Sequence, residues 1–114
     1  MELGVIEVYF KDKKFGFILT DSGERIYFTY WNGRLVEEGH NQPIFSSKPM
    51  SRTSDRALYA SFPLPKRGDV VLFQRKQDSP NRKAKASLWA YYADWNTVER
   101  TIAKRLRFRT LNRT

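Results

Sequence analysis

The chain has 114 residues and a formal net charge of +9, which is enough length for one domain with short extensions. It contains no cysteine and a single histidine, His40, so a disulfide framework and a thiolate metal site are both excluded. The N-terminal segment carries neither a basic leader nor a long apolar run, and we therefore expect a soluble, cytoplasmic protein without a membrane anchor.

The positive charge is concentrated towards the C-terminus. Residues 67–114 hold twelve basic and four acidic side chains, whereas residues 1–31 hold four basic and five acidic ones. Clustered Lys and Arg displace condensed counterions from phosphates, so the asymmetry favours a polyanionic partner over an inert basic surface. Charge alone does not distinguish RNA, DNA and an anionic membrane.

The first third of the chain predicts a meander of three strands. The apolar, β-branched and aromatic runs are Val5–Phe10, Phe15–Thr20 and Ile26–Trp31. The connection over residues 21–24 has turn chemistry, with Gly23 available for a positive φ. These short connections indicate that the three strands are neighbours in one antiparallel sheet.

Residues 32–67 are predicted to form a long, irregular insertion. They contain two short extended candidates, Pro43–Ser47 and Ala57–Phe62, and one interpretation pairs these two as a hairpin. Beyond the insertion, Val70–Phe73 and Ala84–Tyr92 read as a fourth and a fifth strand of the main sheet.

The last segment predicts a basic helix. Asn96 stands three residues before Glu99, which is the spacing of a capping box at a helix start. Beyond Lys104 the alternation of apolar and basic residues fits a helix or a strand equally well. The apolar stripe of this helix consists of Trp95, Val98, Ile102 and Leu106.

The run from Asp12 to Leu19 is the most informative motif. On a strand, Phe15 and Phe17 share one face and Ile18 lies on the other. In the next strand Tyr27 joins the aromatic side, and the aliphatic side gains Ile26 and Phe28. The aliphatic side suits a core, whereas rings beside lysines suit stacked bases and phosphates. The alternative from pattern alone is that the rings themselves form the core.

Two segments of this region resemble the RNP-type motifs of the cold-shock domain family. Lys13–Ile18 is similar to Lys-Gly-Phe-Gly-Phe-Ile, and Ile26–Thr29 is similar to Val-Phe-Val-His. An RNA-recognition motif carries such a sequence only after a β-α-β stretch, which the residues before Lys13 are too few to hold. The resemblance extends over about residues 3–32 and 66–92.

The resemblance implies a mainly β fold: a five-stranded OB-fold barrel of the cold-shock type. On this reading residues 1–93 form the barrel, with the long loop insertion between strands 3 and 4, and residues 94–114 form a basic C-terminal helix and tail. The implied function is binding of single-stranded RNA or DNA, without catalysis, cofactor or metal.

The expected nucleic-acid contacts come from the resemblance and from the basic helix. They are Lys11, Lys13, Lys14, Phe15, Phe17, Tyr27, Thr29, Tyr30, Arg100, Lys104 and Arg107. The chain also departs from the family pattern. Val8 stands where the family has a stacking tryptophan, and Thr29 where it has a histidine. Glu7, Phe10 and Lys14 replace a lysine, an asparagine and a glycine.

Other functions are less well supported by the sequence. There is no nucleophile close to a histidine and no glycine-rich phosphate loop, and the adjacent Glu37 and Glu38 fit a solvated loop better than a catalytic pair. A basic helix lying on a membrane is disfavoured because its apolar stripe is thin. The main alternative is a protein-interaction module with eroded nucleic-acid binding. Its partner surface would comprise Trp31, Trp89, Tyr91, Tyr92 and Trp95.

Overall fold

The computed structural model describes residues 1–49, 64–76 and 84–111. The described chain forms seven strands, followed by one α-helix. The strands are β1 (Glu2–Phe10), β2 (Phe15–Leu19), β3 (Arg25–Thr29), β4 (Arg34–Glu38), β5 (Pro43–Pro49), β6 (Val70–Lys76) and β7 (Lys85–Tyr91), and the helix is α1 (Tyr92–Leu111). A single 3₁₀ turn, Tyr30–Asn32, follows β3.

Five of the strands close into a barrel. They pair in the order β1-β2-β3-β7-β6, and β6 pairs with β1 to complete the circle. The pairs are antiparallel except for β3 and β7, which run parallel and meet at Tyr27 and Lys85. This is an OB-fold-like architecture. The predicted mainly β fold with a five-stranded barrel and a C-terminal helix is confirmed.

The barrel core follows the two-residue alternation of the strands. Ile18, Ile26 and Phe28 are fully buried, as the sequence predicts, and burial of each contributes roughly 1.5–3 kcal/mol. Trp89 of β7 packs edge-to-face on Phe28 with ring centroids 5.2 Å apart. The Trp89 indole Nε1 donates a hydrogen bond of 2.8 Å to the Thr29 carbonyl, which satisfies its only polar group. This hydrogen bond ties β7 to the end of β3.

A bulge in β1 decides which of its side chains reach the outer face. The register with β2 shifts between Ile6 and Val8, which leaves Glu7 as an extra residue. Ile6 points into the core before the bulge, and after it Tyr9 packs on the core instead. Val8 and Phe10 consequently lie on the outer face, because cross-strand partners share a side of the sheet.

The insertion contains a hairpin of β4 and β5, whereas the second segment of the predicted hairpin lies outside the described residues. Pro43–Ser47 does lie in a strand, but its partner is β4, and Glu37 pairs with Ile44 within that ladder. The prediction that Glu37 and Glu38 lie in a loop is therefore wrong. The other extended candidate, Ala57–Phe62, lies outside the described residues.

The helix begins earlier than the capping box indicated. It starts at Tyr92, directly after β7, so Asn96 lies within its second turn rather than at its start. It continues as a helix beyond Lys104. Trp95 and Ile102 are buried, and Trp95 meets Phe45 of β5 with ring centroids 5.2 Å apart. The helix packs against the hairpin and against β6 and β7. Within the described ranges, no helix is both long and apolar enough to cross a membrane.

Candidate nucleic-acid interface

Four aromatic rings form a continuous patch on the outer face of β1, β2 and β3. They are called the aromatic platform here and comprise Phe10, Phe15, Phe17 and Tyr27. Phe15 lies at the centre, with centroid distances of 5.1 Å to Phe10, 6.2 Å to Phe17 and 5.5 Å to Tyr27. The ring of Phe10 is 42% exposed, and the other three are half-buried. The predicted division into an aliphatic core and an outward aromatic face is confirmed.

The platform depends on close contact between its strands. Gly16 lies on the core side between Phe15 and Phe17, where a Cβ would overlap the Val8 carbonyl oxygen and the edge of the Phe28 ring. A side chain at this position would force β1 and β2 apart and separate the rings that those strands carry. The glycine of the motif is therefore required by packing beneath the platform.

Two cations contact rings of the platform. The Arg25 guanidinium lies 4.7 Å from the centroid of the Phe17 ring, and the Lys85 ammonium lies 5.9 Å from that of Tyr27. Arg25 also forms a 2.8 Å ion pair with Glu7, the bulge residue of β1. There a carboxylate already offsets part of the positive charge.

The turn between β1 and β2 supplies the lysines predicted from sequence. Lys11, Lys13 and Lys14 are all exposed there. The backbone amides of Lys13 and Lys14 donate to the Phe10 carbonyl at 3.2 and 2.7 Å. Lys14 has φ +58°, in the left-handed region that favours glycine, which is the residue of the family motif at this position. Its ammonium lies over the ring of Trp31, in the 3₁₀ turn after β3.

Two further residues expected on the ligand face, Thr29 and Tyr30, lie on different sides of the sheet. Thr29 is the cross-strand partner of Phe15 and shares its outer face. Thr29 is half-buried, and its carbonyl accepts the Trp89 hydrogen bond. Tyr30 is only 6% exposed and belongs to the core cluster, so its ring offers no open face to a base. The assignment of Tyr30 to the binding face is corrected accordingly. The adjacent Trp31 is instead 49% exposed.

The three basic helix residues predicted to bind nucleic acid are exposed but lie apart from the platform. These helix cations are Arg100, Lys104 and Arg107. Their helix packs on β4 to β7, whereas the platform is built on β1 to β3. A fourth basic residue, Arg105, forms a bidentate ion pair with Glu38 of β4, with 2.9 Å between Nη1 and Oε2. These hydrogen bonds lower the pKa of the Glu38 carboxyl, and the charge of Arg105 is partly neutralised.

A groove of about 850 Å³ lies at the start of α1, where the helix meets β4 and the turn before β6. Its lining includes the apolar side chains of Leu35 and Val36 together with the carboxylates of Asp69 and Asp94. Burial raises the pKa of the Asp94 carboxyl. With two acidic residues against one lysine, Lys66, the groove is a poorer site for a phosphate backbone than the platform.

The C-terminal rings proposed as a protein-binding surface are mostly internal. Trp89, Tyr91 and Trp95 are each no more than 9% exposed, and Tyr92 is half-buried. Trp89 and Tyr91 contact each other inside the barrel, with ring centroids 5.3 Å apart. These rings fasten the helix and hairpin to the barrel and do not present a joint outer surface.

Sequence reasoning missed three residues at the platform. Phe10 reaches it because of the bulge, which strict alternation does not anticipate. Lys85 arrives through the parallel pairing of β7 with β3, a contact between distant segments that leaves no local signal. Arg25 was detectable, because alternation from Tyr27 places it on the same face of β3.

No protein-family model matches the chain, and no curated protein matches it at a significant level.

Proposed function

We propose that the chain binds single-stranded RNA or DNA on the aromatic platform, as a divergent barrel of the cold-shock type. The observation that carries the proposal is the cluster of four contacting rings on an outer barrel face. Aromatic side chains of this size are usually buried in the core. A contiguous apolar patch that remains on the surface marks an interaction site. Unpaired bases stack on such rings irrespective of sequence, each contributing roughly 1–3 kcal/mol.

The charges around the platform support the same ligand. Ammonium and guanidinium groups lie at its borders, where the phosphates of a stacked strand would run. The cations in contact with the rings are Arg25 and Lys85, and Lys11, Lys13 and Lys14 lie in the turn between β1 and β2. A strand whose bases cover the rings would therefore place its backbone near positive charge.

Three residues favour the alternative of a protein-interaction module. Val8 offers no ring where the family has one, Thr29 replaces a histidine, and Glu7 places a carboxylate beside Phe17 through its pair with Arg25. Each change weakens a platform for bases. A protein ligand with an apolar segment would tolerate all three.

A titration of fluorescently labelled oligonucleotides separates these functions. We expect a single strand to bind with affinity that falls steeply as salt rises, with a slope of roughly 0.7 for each phosphate contacted. A duplex of the same length should bind much more weakly at matched salt, because paired bases cannot reach the rings. Equal affinities for duplex and single strand would refute stacking, and no binding of either would favour the protein-interaction module.

A further inference from the structure

Trp31 is an exposed ring that the aromatic platform does not include. All three tryptophans of the chain lie within the described residues, and their exposed fractions are 49% for Trp31, 0% for Trp89 and 9% for Trp95. The buried pair stabilise the barrel and its helix. Trp31 meets the core residue Tyr30 edge-on, with ring centroids 6.3 Å apart, and exposure of the rest of its indole leaves a large apolar surface in water.

The backbone around Trp31 is held by hydrogen bonds on both sides. The amide of Tyr30 donates to the Lys14 carbonyl at 2.9 Å, which joins the 3₁₀ turn to the turn between β1 and β2. Nη1 of Arg34 donates to the carbonyls of Trp31 and Gly33 at 2.9 and 3.0 Å. The exposed indole therefore projects from a backbone held in place, so the backbone loses little conformational entropy when a ligand covers the ring.

A cation links Trp31 to the platform. The Lys14 ammonium lies 4.8 Å from the centroid of the Trp31 ring, and Lys14 directly precedes Phe15, the central ring of the platform. The Lys14 side chain thus bridges the beginning of β2 and the turn after β3. A cation over an exposed aromatic residue is also the arrangement at Phe17, with the Arg25 guanidinium, and at Tyr27, with the Lys85 ammonium.

We propose that Trp31 and Lys14 form an additional nucleotide-binding position, in which an unpaired base stacks on the indole and its phosphate meets the ammonium. This position rests on the proposed function of the platform and extends it. The bound strand continues from Phe15 across Lys14 towards the start of β4. The burial of Tyr30 gives a reason for this path. Tyr30 was expected to receive the next base, but its ring faces the core and is closed to a ligand.

Tryptophan fluorescence tests the position directly, because Trp31 is the exposed indole of the three. Titration with a single strand of about ten nucleotides, within the range of OB-fold site sizes, should quench the emission of the wild-type protein. In Trp31→Phe the quenching should disappear while binding, measured by anisotropy of the labelled strand, persists. If the Trp31→Phe variant is still quenched, the quenched tryptophan is Trp89 or Trp95, and the proposal is overturned.

Affinity provides the second measurement. Trp31→Ala should weaken binding by about 5- to 150-fold, the effect of removing one stacking ring. The matched control is Phe108→Ala, which removes another exposed ring, 64% accessible, from the far part of the helix and should leave affinity unchanged. Both variants should melt close to the wild-type temperature, since neither ring is in the core.

The outcomes distinguish this inference from the function on which it rests. If Phe17→Ala weakens binding and Trp31→Ala binds like the wild type, the platform stands and the additional position is refuted. If the wild-type protein binds no single strand, both proposals fail together. An equal drop in affinity in Trp31→Ala and Phe108→Ala would indicate a nonspecific effect of removing exposed rings, and would also overturn the proposal.

Discussion

Replacement of Phe17 by alanine should separate binding from folding. Phe17 is half-buried on the outer face of β2, where it contacts Phe15, Tyr27 and the guanidinium of Arg25. Removing one stacking ring should cost roughly 1–3 kcal/mol of binding free energy, which corresponds to about a 5- to 150-fold higher dissociation constant. Because only part of the ring is buried, the free energy of unfolding should fall by less than the ~3–5 kcal/mol typical of a fully buried Phe.

The matched control is Phe28→Ala, the same chemical change on the opposite side of the sheet. Phe28 is 0% exposed and packs on Tyr9 and Trp89. Its removal should cost about 3–5 kcal/mol of stability, a large share of the roughly 5–15 kcal/mol typical of a domain. Affinity per folded molecule should change little.

Two assays decide the comparison. Urea denaturation gives the free energy of unfolding of each variant, and a titration with a labelled single strand gives the affinity of its folded fraction. If Phe17→Ala unfolds as readily as Phe28→Ala and binds normally per folded molecule, the platform is part of the core and the reasoning is refuted.

Three further predictions concern other parts of the molecule. Gly16→Ala should destabilise the barrel by about 3 kcal/mol, the upper end of the overpacking range, because its Cβ overlaps the Val8 carbonyl; an unchanged urea midpoint would contradict that overlap. The lowered pKa of Glu38 means that its ion pair with the helix stabilises the fold at neutral pH and disappears as pH falls below the usual carboxyl range. The melting temperatures of wild type and Glu38→Gln should therefore converge in acid, and a constant difference would show that the pair is not the cause. Replacing all three helix cations by glutamine should lower affinity uniformly across base sequences and reduce the salt slope by roughly 0.7 for each phosphate that the helix no longer binds, whereas an unchanged slope would mean that the helix touches no phosphate.

Substitution is a cleaner test of the helix than truncation. A cut after Lys104 would remove Arg105, whose guanidinium pairs with Glu38 of β4, together with the basic residues that follow it. The hairpin and the helix would both be affected, and a weaker affinity could then follow from damage to the fold. Glutamine at the helix cations leaves the Arg105–Glu38 pair in place.

Strand alternation predicts the parts of the fold that depend on local sequence. It correctly divides β2 and β3 into a core side and an aromatic side, because a buried face requires apolar residues at every second position. Continued from Ile26 and Phe28, it also places Tyr30 on the core side, where the structure has it. The family resemblance assigns Tyr30 to the ligand face, and the residue pattern was the better guide at this position.

The features that sequence could not predict depend on contacts between distant segments. The bulge at Glu7 carries Phe10 to the platform, and no local signal distinguishes this strand from a regular one. β4 was missed because its two glutamates resemble a solvated loop, although its apolar half packs beneath the helix. The helix starts at Tyr92 without an intervening loop, since packing of Trp95 on Phe45 outweighs the capping signal at Asn96.

The most direct test of the central claim is an NMR titration of the protein with a single-stranded oligonucleotide, following the aromatic ring protons. Stacking should shift the ring signals of Phe15, Phe17 and Tyr27 upfield, and the affected amides should map to β1, β2 and β3. The core rings should remain unperturbed. Shifts confined to the helix cations would indicate electrostatic contact without stacking and would contradict the account.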